Sequence, residues 1–223
     1  MGRFAEIAFT PSVKAVQSHL GSRGAYGRTA AAGGALDALG EDEAAFLAER
    51  DSFYMASVGE GGWPYVQHRG GPKGFVRVVD PHTLGFADYR GNRQYISVGN
   101  VEHDDRVALI FVDYPNRARL KVLAHASLVA VEDAATLALL AVPGHDARIE
   151  RGFLLHVEGF DWNCPQHITP RFTEEEIRAT GAPVFARVDT LEEENRALRA
   201  RLTEAGHDPG ARPQTPGQAP LRG

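Results

Sequence analysis

The sequence feature that most constrains the fold is a series of short apolar runs, joined by turns and with few helices between them. Turn residues at 59–62 (GEGG) and 80–83 (DPHT) separate neighbouring runs, as in β-hairpins. The predicted strands are 53–58, 64–69, 75–79, 84–87, 107–112, 120–131 (a strand pair or one bent strand) and 153–157, which 158–160 continue. This spacing predicts a mainly β, α+β domain built as a small antiparallel barrel or sandwich, not βαβ units. Because such a barrel encloses little free volume, we expect a ligand at its rim or between subunits.

The flanking segments divide the chain into four predicted parts. Residues 1–35 form an N-terminal arm or loop, and 36–172 form the barrel domain, which begins with a helix at 36–50 that Gly40 splits. Within the domain, 134–142 is a short helix, and 95–101 is either a short helix or an extended segment. Residues 173–205 form C-terminal helices, and 206–223 are a proline- and glycine-rich disordered tail.

Two helices are predicted in the C-terminal part. Thr173 and the three glutamates after it form a capping box that starts a short helix. The last helix carries a seam with steps of four and three residues, formed by Val184, Val188, Leu191, Asn195, Leu198 and Leu202. This seam fits an amphipathic helix that packs on another element. With Asn195 at a core position, it also fits a two-stranded coiled coil, which would be only marginally stable because the seam covers fewer than about three heptads.

Charge and cysteine content exclude several classes of protein. The net charge of −5 and the pI of about 6.0 offer no global basic field for nucleic acid. A single cysteine, Cys164, rules out an intrachain disulfide. The first residues lack the apolar stretch of a signal peptide, and no run approaches a membrane span. We therefore expect a cytoplasmic protein that binds neither nucleic acid nor membrane.

Two polar clusters, 67–71 (QHRGG) and 88–94 (DYRGNRQ), follow apolar runs and carry the chemistry. Each places arginine beside glycine. Arginine makes bidentate, permanently charged contacts with phosphate, and glycine lets backbone N–H groups approach an anion. The clusters therefore predict a site for a phosphorylated small molecule, although Arg69, Arg90 and Arg93 also fit surface or interface ion pairs.

Other candidate residues carry more than one interpretation. His68 alternates with Val66 along a strand, so it either faces a bound molecule or faces solvent. Cys164 and His167 are a candidate thiol–imidazole pair, but one cysteine without a close pair of histidines argues against zinc, and we predict no metal site. The catalytic candidates are accordingly His68, Cys164 and His167.

Taken in order, residues 46–173 resemble the pyridoxamine 5′-phosphate oxidase-like family of FMN-binding split barrels. The resemblance is carried by SFYMASV, a glycine turn with Trp-Pro, YVQHRGG and LGFADYRGNRQ. The segment GNVEHDDRVALIFV matches the family element N-L-x-x-[ND]-x-x-V-x-L at Asn100, Val101, Asp104, Val107 and Leu109. An arginine-bearing strand, NRARLKVLAHA, and the loop DWNCPQHI follow.

The resemblance implies a homodimer that binds FMN at the subunit interface and acts on a small molecule. It places the phosphate near Arg69, Arg90, Asn92, Arg93, Gln94 and Ser97, with Gly70 and Asp88 beside them and Gln67 and His68 near the flavin ring. It also implies that the partner subunit closes the site with Arg117, Arg119, Trp162, Asn163 and Gln166.

One departure separates this chain from the vitamin B6 oxidases of the family. Those enzymes end in a tryptophan followed closely by Arg-Leu-x-Pro, whereas Arg201-Leu202-Thr203-Glu204 has no proline and no nearby tryptophan. We therefore expect an FMN-dependent oxidoreductase with another substrate. The alternatives are a flavin- or haem-binding protein without turnover and a deazaflavin (F420)-dependent reductase.

Overall fold

The computed structural model describes residues 2–27, 35–162, 165–208 and 210. The chain separates into two compact units, 1–170 and 171–223. The predicted tail from 206 onward lies mostly outside the described residues, as does part of the predicted arm.

One antiparallel sheet forms the centre of the first unit. Its strands are β1 (Ser52–Val58), β2 (Pro64–Gly70), β3 (Arg77–Asp80), β4 (Thr83–Tyr89), β5 (Arg106–Asp113), β6 (Ala118–Val129) and β7 (Ile149–Trp162). They lie in the order β2-β1-β5-β6-β7-β4-β3, and every pair between them is antiparallel. The predicted α+β class and the hairpin-connected antiparallel strands are confirmed.

The alternation along β1 sets which face of the sheet is buried. Phe53 and Met55 point into the core, whereas Tyr54 and Val58 are exposed on the other face. In β2, by contrast, no residue is fully buried, because this strand forms one edge of the sheet.

The sheet curls until strands distant in its order meet across the core. Phe53 of β1 and Phe86 of β4 have ring centroids 5.3 Å apart, although three strands lie between β1 and β4. In a flat sheet that interval would be roughly 19 Å, since neighbouring strands lie about 4.8 Å apart. Phe75, Phe111 and Phe153 complete this fully buried aromatic cluster. The sheet does not close between its edge strands β2 and β3, and the fold is a split barrel. Because β3 pairs only with residues 83–85 of β4, the rest of β4 also borders the opening.

The helices of the first unit are short, and several of them pack against the strands. They are α1 (Gly2–Ala8), α2 (Pro11–His19), α3 (Arg23–Gly27), α4 (Glu41–Ala48), α5 (Ile96–His103) and α6 (Ala134–Leu140). Of these, α1 packs on β7, α4 on β3, α5 on β1 and β6, and α6 on β4 and β7. α4 begins at Gly40, whose backbone N–H donates to the Glu43 carboxylate at 2.9 Å, as in a capping box. α1 lies so close to β7 that the backbone of Phe4 contacts Gly159.

Several predicted boundaries differ from the structure. The helix predicted over 36–50 is only α4, since Gly40 starts it and does not split it. The ambiguous segment at 95–101 is helical, as α5, and 120–131 is one strand, β6. β3 starts at Arg77 because Phe75 and Val76 are buried in the core before pairing begins. β7 extends well beyond the predicted 153–160 at its N-terminal end.

The described part of the second unit contains one helix, α7 (Glu174–Glu204), where two were predicted. The capping box at Thr173 is confirmed: the Glu176 backbone N–H donates to the Thr173 hydroxyl at 3.2 Å, and Thr173 N–H donates to the Glu176 carboxylate at 2.7 Å. Pro183 lies inside this helix and removes one backbone donor without ending it. Across the described ranges, no helix is both long and apolar enough to cross a bilayer.

Candidate functional site

An ion pair bridges the open side of the barrel. Arg69, on edge strand β2, donates from Nη1 to Asp88 Oδ1 on β4 at 2.6 Å, although the two strands share no backbone pairing in the described sheet. Both side chains are about 13% exposed, and the guanidinium of Arg69 lies 5.2 Å from the Phe153 ring centroid. The two predicted clusters are thus joined by a partly buried charge pair.

The pair lies between two cavities. The larger, about 240 Å³, is lined by Gln67, Arg69, Asp88, Tyr89, Gly91, Asn92, Arg93, Tyr95, Ser97, Val98 and Glu150. The smaller, about 160 Å³, is lined by Gln67, His68, Arg69, Gly70, Phe75, Phe86, Ala87, Asp88 and Tyr89. Gln67, Arg69, Asp88 and Tyr89 contribute to both. Residues far apart in the sequence therefore form one polar region, which we call the cleft.

The first turn of α5 closes one side of the larger cavity. Ser97 is buried, and its hydroxyl donates to the Gln67 side-chain oxygen at 2.7 Å, which fixes the Gln67 amide and directs its NH₂ group away from Ser97. The loop before α5 places Arg93 and Tyr95 at φ angles of 63° and 53°. Non-glycine residues in the left-handed region are uncommon and cluster at functional sites.

Glu150, at the start of β7, organises the cations on the other side of that cavity. Its carboxylate accepts a hydrogen bond from the Tyr95 hydroxyl at 3.2 Å and lies 3.6 Å from Arg90 Nε and from Arg151 Nη2. Arg93 Nε donates to the same Tyr95 hydroxyl at 3.0 Å. Arg151 also packs over the Tyr95 ring, 4.7 Å from its centroid.

Positive charge exceeds negative charge around the cleft. Four guanidinium groups (Arg69, Arg90, Arg93 and Arg151) meet two carboxylates (Asp88 and Glu150), which leaves two positive charges in excess. Burial raises the pKa of Asp88 although Arg69 and Arg151 act against it, and burial lowers the pKa of Arg69 although Asp88 opposes it. Arg69 still stays protonated at neutral pH because an arginine pKa starts so high. A bound dianion would balance the excess.

Two guanidinium donors at the cleft are left without an acceptor. Arg69 Nε and Arg151 Nε are buried and make no hydrogen bond within the described residues. Arg151 Nε lies 3.5 Å from Asp88 Oδ2, which is an ion-pair separation without a hydrogen bond of good geometry. Buried donors of native proteins are usually satisfied, so an unpaired one indicates a missing partner such as a ligand or water.

Other predicted residues lie at the margin of the cleft. His68 is exposed, lines the smaller cavity, and packs edge-on against Tyr54 with ring centroids 5.4 Å apart. Gly70 lines the same cavity. Asn92 accepts from the Gln94 backbone N–H at 3.2 Å, an Asx turn that shapes the loop, while Gln94 itself is exposed.

The residues expected from a partner subunit lie far from the cleft of their own chain. At one end of β7, Ile149 pairs with Tyr89 of the cleft. At the other end, Trp162 pairs with Leu120, and Arg117 and Arg119 lie just before Leu120 in the chain. At about 3.3 Å per residue, the two ends lie roughly 40 Å apart along the strand. The Trp162 indole donates to Glu43 Oε1 at 2.6 Å and its ring packs on Phe46, so it anchors α4. Arg119 Nε is buried without a hydrogen-bond partner among the described residues.

The loop after β7 is described only in part. Gln166 and His167 are exposed, and His167 has a φ of 63°. Asn163 and Cys164 lie outside the described residues, so the predicted thiol–imidazole pair stays a prediction. Within those residues, no group of three or more metal-ligating side chains comes together.

Reasoning from the sequence missed two polar residues that line the larger cavity, Tyr95 and Glu150, and Arg151, which lies beside Asp88. The signal that identified the two predicted clusters, arginine next to glycine beside an apolar run, also occurs at Arg151-Gly152. It was overlooked because the last strand was predicted to begin only at Phe153, which left Glu150 and Arg151 in a loop.

Comparison with known protein families identifies the class of protein to which this fold and this cation-rich cleft belong. The family model described as pyridoxamine 5′-phosphate oxidase matches residues 39–149, which contain most of the sheet and most of the cleft. The chain therefore belongs to the pyridoxamine 5′-phosphate oxidase-like family, a family of flavin-binding oxidoreductases.

Several solved structures are similar to part of this chain. A candidate pyridoxamine 5′-phosphate oxidase of Lactobacillus delbrueckii is 24% identical, with a TM-score of 0.43, over 56% of this chain and 94% of its own. The HupZ protein of Group A Streptococcus is 17% identical, with a TM-score of 0.44, over 60% and 100%. An FMN-binding protein of Syntrophomonas wolfei is 8% identical, with a TM-score of 0.41, over 53% and 81%. A comparison with curated proteins found no match.

Proposed function

We propose that the cleft binds the phosphate-bearing end of FMN and that the protein is an FMN-dependent oxidoreductase acting on a small molecule. The observation that carries this proposal is the excess of two positive charges at the cleft, together with the buried, unpartnered Nε atoms of Arg69 and Arg151. A phosphate monoester carries nearly two negative charges at neutral pH and offers three acceptor oxygens. It therefore suits both the charge and the open donors.

The residues divide into two roles. Arg90 and Arg93 are exposed and can turn toward a phosphate. Arg69 and Arg151 are held in place by Asp88 and Glu150 and supply fixed positive charge together with their unpaired Nε donors. Gln67, whose amide Ser97 orients, offers NH₂ donors toward the flavin ring or its polar chain. Asn92 shapes the loop that carries Arg93 and Gln94.

We propose a homodimer in which a second copy completes each site. The larger cavity measures about 240 Å³, below the roughly 300 Å³ at which small-molecule sites begin, so the flavin ring would extend beyond it. Arg117, Arg119 and Trp162, which lie at the far end of β7 within one chain, would then meet the ring from the partner. In this organisation 36–172 is the flavin domain, and 173–205 is a separate helical part.

Bound FMN supplies hydride and electron transfer, and the protein supplies binding and orientation. The Arg69–Asp88 pair holds edge strand β2 against β4, and Ser97 holds the Gln67 amide in one position. The described cleft places no acid–base dyad at its centre, and direct hydride exchange requires none. His68, at its margin, is exposed to an incoming substrate.

The first experiment is the visible absorption spectrum of the purified protein, with mass spectrometry of what denaturation releases. A flavin spectrum with released FMN is expected. If F420 is released instead, the cofactor held by these arginines is the deazaflavin and not FMN. A colourless protein that takes up neither FMN nor F420 would overturn the proposal.

Turnover is tested separately. We expect the bound flavin to be bleached by a nicotinamide donor without oxygen and to recover its colour on adding an oxidised acceptor. Bound flavin that no donor or acceptor changes would instead assign the protein to flavin carriers.

A further inference from the structure

The long helix α7 carries an apolar stripe that its own unit leaves exposed. Within the second unit, no described residue of α7 is buried. The apolar residues of its seam, Val184, Val188, Leu191, Leu198 and Leu202, are each 44–63% exposed. Helices of this kind owe most of their stability to burial of the apolar face, so the stripe calls for a partner surface.

The residue types along the stripe follow a particular heptad pattern. Counting Val188 as position a places Asn195 and Leu202 at a, and Val184, Leu191 and Leu198 at d. A β-branched residue at a with leucine at d favours two strands, and one buried asparagine at a specifies register. In a parallel, aligned pair each Asn195 faces its own copy. In an antiparallel pair, position a packs against d, and the two amides are separated.

The charges beside the stripe suit pairing of two copies in parallel. In parallel pairs, a residue at g faces the residue five positions later, at e, of the other helix. Arg187 at g then faces Glu192 at e, and Glu194 at g faces Arg199 at e. Both complete g–e pairs are oppositely charged. Within one helix, Arg187 Nη1 lies 3.9 Å from Glu194 Oε1, and Arg199 Nε donates to Asn195 Oδ1 at 2.7 Å, so these side chains border the same stripe.

We propose that α7 is a homodimerisation helix that pairs with α7 of a second copy as a parallel, in-register, two-stranded coiled coil. The seam spans fewer than about three heptads, so the contact is weak alone, and a second contact between the same two chains strengthens it by raising the effective concentration. The proposal is independent of the cofactor, because no residue of the stripe belongs to the cleft.

Charge exchange in the full-length protein tests the pairing. Arg187→Glu with Arg199→Glu makes all four e and g positions acidic, and Glu192→Arg with Glu194→Arg makes them all basic. We expect each double variant to dimerise about tenfold more weakly or worse than the natural chain, since four symmetric pairs turn repulsive. An equimolar mixture of the acidic and the basic variant should form a heterodimer with about the affinity of the natural homodimer. Sedimentation velocity with differently labelled chains measures both.

Disulfide trapping tests orientation and register. In a Cys164→Ser background, Asn195→Cys should form an intermolecular disulfide under mild oxidation, because only the parallel, aligned arrangement brings the two thiols together. Glu193→Cys, which faces outward at position f, is the matched control and should stay monomeric on a non-reducing gel. Circular dichroism verifies that every variant keeps its helix.

The result that overturns the proposal is equally specific. α7 does not pair in this way if the folded charge variants dimerise with the affinity of the natural chain and show no preference for the heterodimer. Equal disulfide trapping at positions 193 and 195 would lead to the same conclusion. An antiparallel pair would lose trapping at 195 and gain it between Val184→Cys and Asn195→Cys chains. Failure to bind FMN would leave each of these measurements unchanged.

Discussion

Arg69 Nη1 lies 2.6 Å from Asp88 Oδ1, and this contact crosses the open side of the curled sheet. β2 and β4 lie five positions apart in the strand order, an interval of roughly 24 Å in a flat sheet. The ion pair is thus a product of the curl, and it stands between the two cavities of the cleft. Stability of the barrel and the shape of the cleft therefore depend on the same two side chains.

Removing the carboxylate of this pair should destabilise the barrel. Asp88→Asn leaves the partly buried Arg69 and Arg151 without their shared counter-charge. Breaking a fully buried pair from one side typically costs about 3–5 kcal/mol, so we expect a loss of about 2–4 kcal/mol here. Urea unfolding followed by tryptophan fluorescence measures the loss. Glu49→Gln breaks the exposed pair with Lys73 at 3.9 Å and should change stability by less than about 1 kcal/mol. Equal effects of the two variants would show that the Arg69–Asp88 contact has no special role.

Removing an exposed arginine from the cleft should weaken FMN binding. A hydrogen bond to a charged group contributes about 1.5–3 kcal/mol, so Arg93→Ala and Arg90→Ala should each raise the Kd roughly tenfold to hundredfold. Quenching of flavin fluorescence during titration measures this. Arg106→Ala, an exposed arginine of β5 that does not line the cavities, is the control. If both cleft variants kept the natural affinity, the phosphate site would be elsewhere.

A methyl group at Gly159 should displace α1 from the sheet. A Cβ there would lie 2.5 Å from the Phe4 backbone nitrogen and 2.9 Å from its Cα, and neither atom can move without the helix. We expect Gly159→Ala to lower the free energy of unfolding by about 1–3 kcal/mol and to expose the first residues to protease.

The matched variant is Gly99→Ala, inside α5, where a Cβ meets no atom within 4 Å. It should be neutral or stabilise by about 0.5–1 kcal/mol, because alanine suits a helix interior better than glycine. Equal losses at both glycines would contradict the assigned contact between α1 and β7.

The contribution of Asp113 should disappear in acid. Burial alone would raise its pKa, but hydrogen bonds from the Asn116 backbone and side chain, together with Arg50 at 3.0 Å, outweigh burial and lower the pKa. A carboxylate whose pKa is lower in the folded state stabilises above the unfolded value of 3.8 and loses this contribution as pH falls through the folded pKa.

Asp113→Asn should therefore be less stable than the natural chain by about 2 kcal/mol at pH 7, with the gap closing below pH 3.8. Urea titrations between neutral and acid pH measure the gap. Asp146→Asn, at an exposed position, should show little difference at any pH. A gap at Asp113 that widened toward acid would reverse the assigned direction.

Local patterns predicted much of the fold and part of the site. Short apolar runs identified β1 and β2, and the glycine turn between them implied their hairpin, because strand preference and turn chemistry are properties of neighbouring residues. The same reasoning found Arg69 and Asp88 as polar residues at strand ends. It could not pair them, since nothing local indicates how far a sheet curls.

Long-range packing decided the rest. Tyr95 and Ile96 gave no clear local preference, and α5 forms where Val98 and Val101 bury against the core. Glu150 and Arg151 joined the cleft because β7 begins earlier than its apolar run and lies beside β4.

The amino-acid sequence by itself determined the antiparallel strands, the cation-rich clusters and the heptad seam, since these depend on side-chain chemistry at short spacing. Only the tertiary structure decided that the sheet curls into an open barrel with Arg69 facing Asp88 across the gap. The physical reason is that the sheet curls to bury five phenylalanines that come from separate segments. The free energy of this burial is gained only when the whole core assembles, so no single strand determines it.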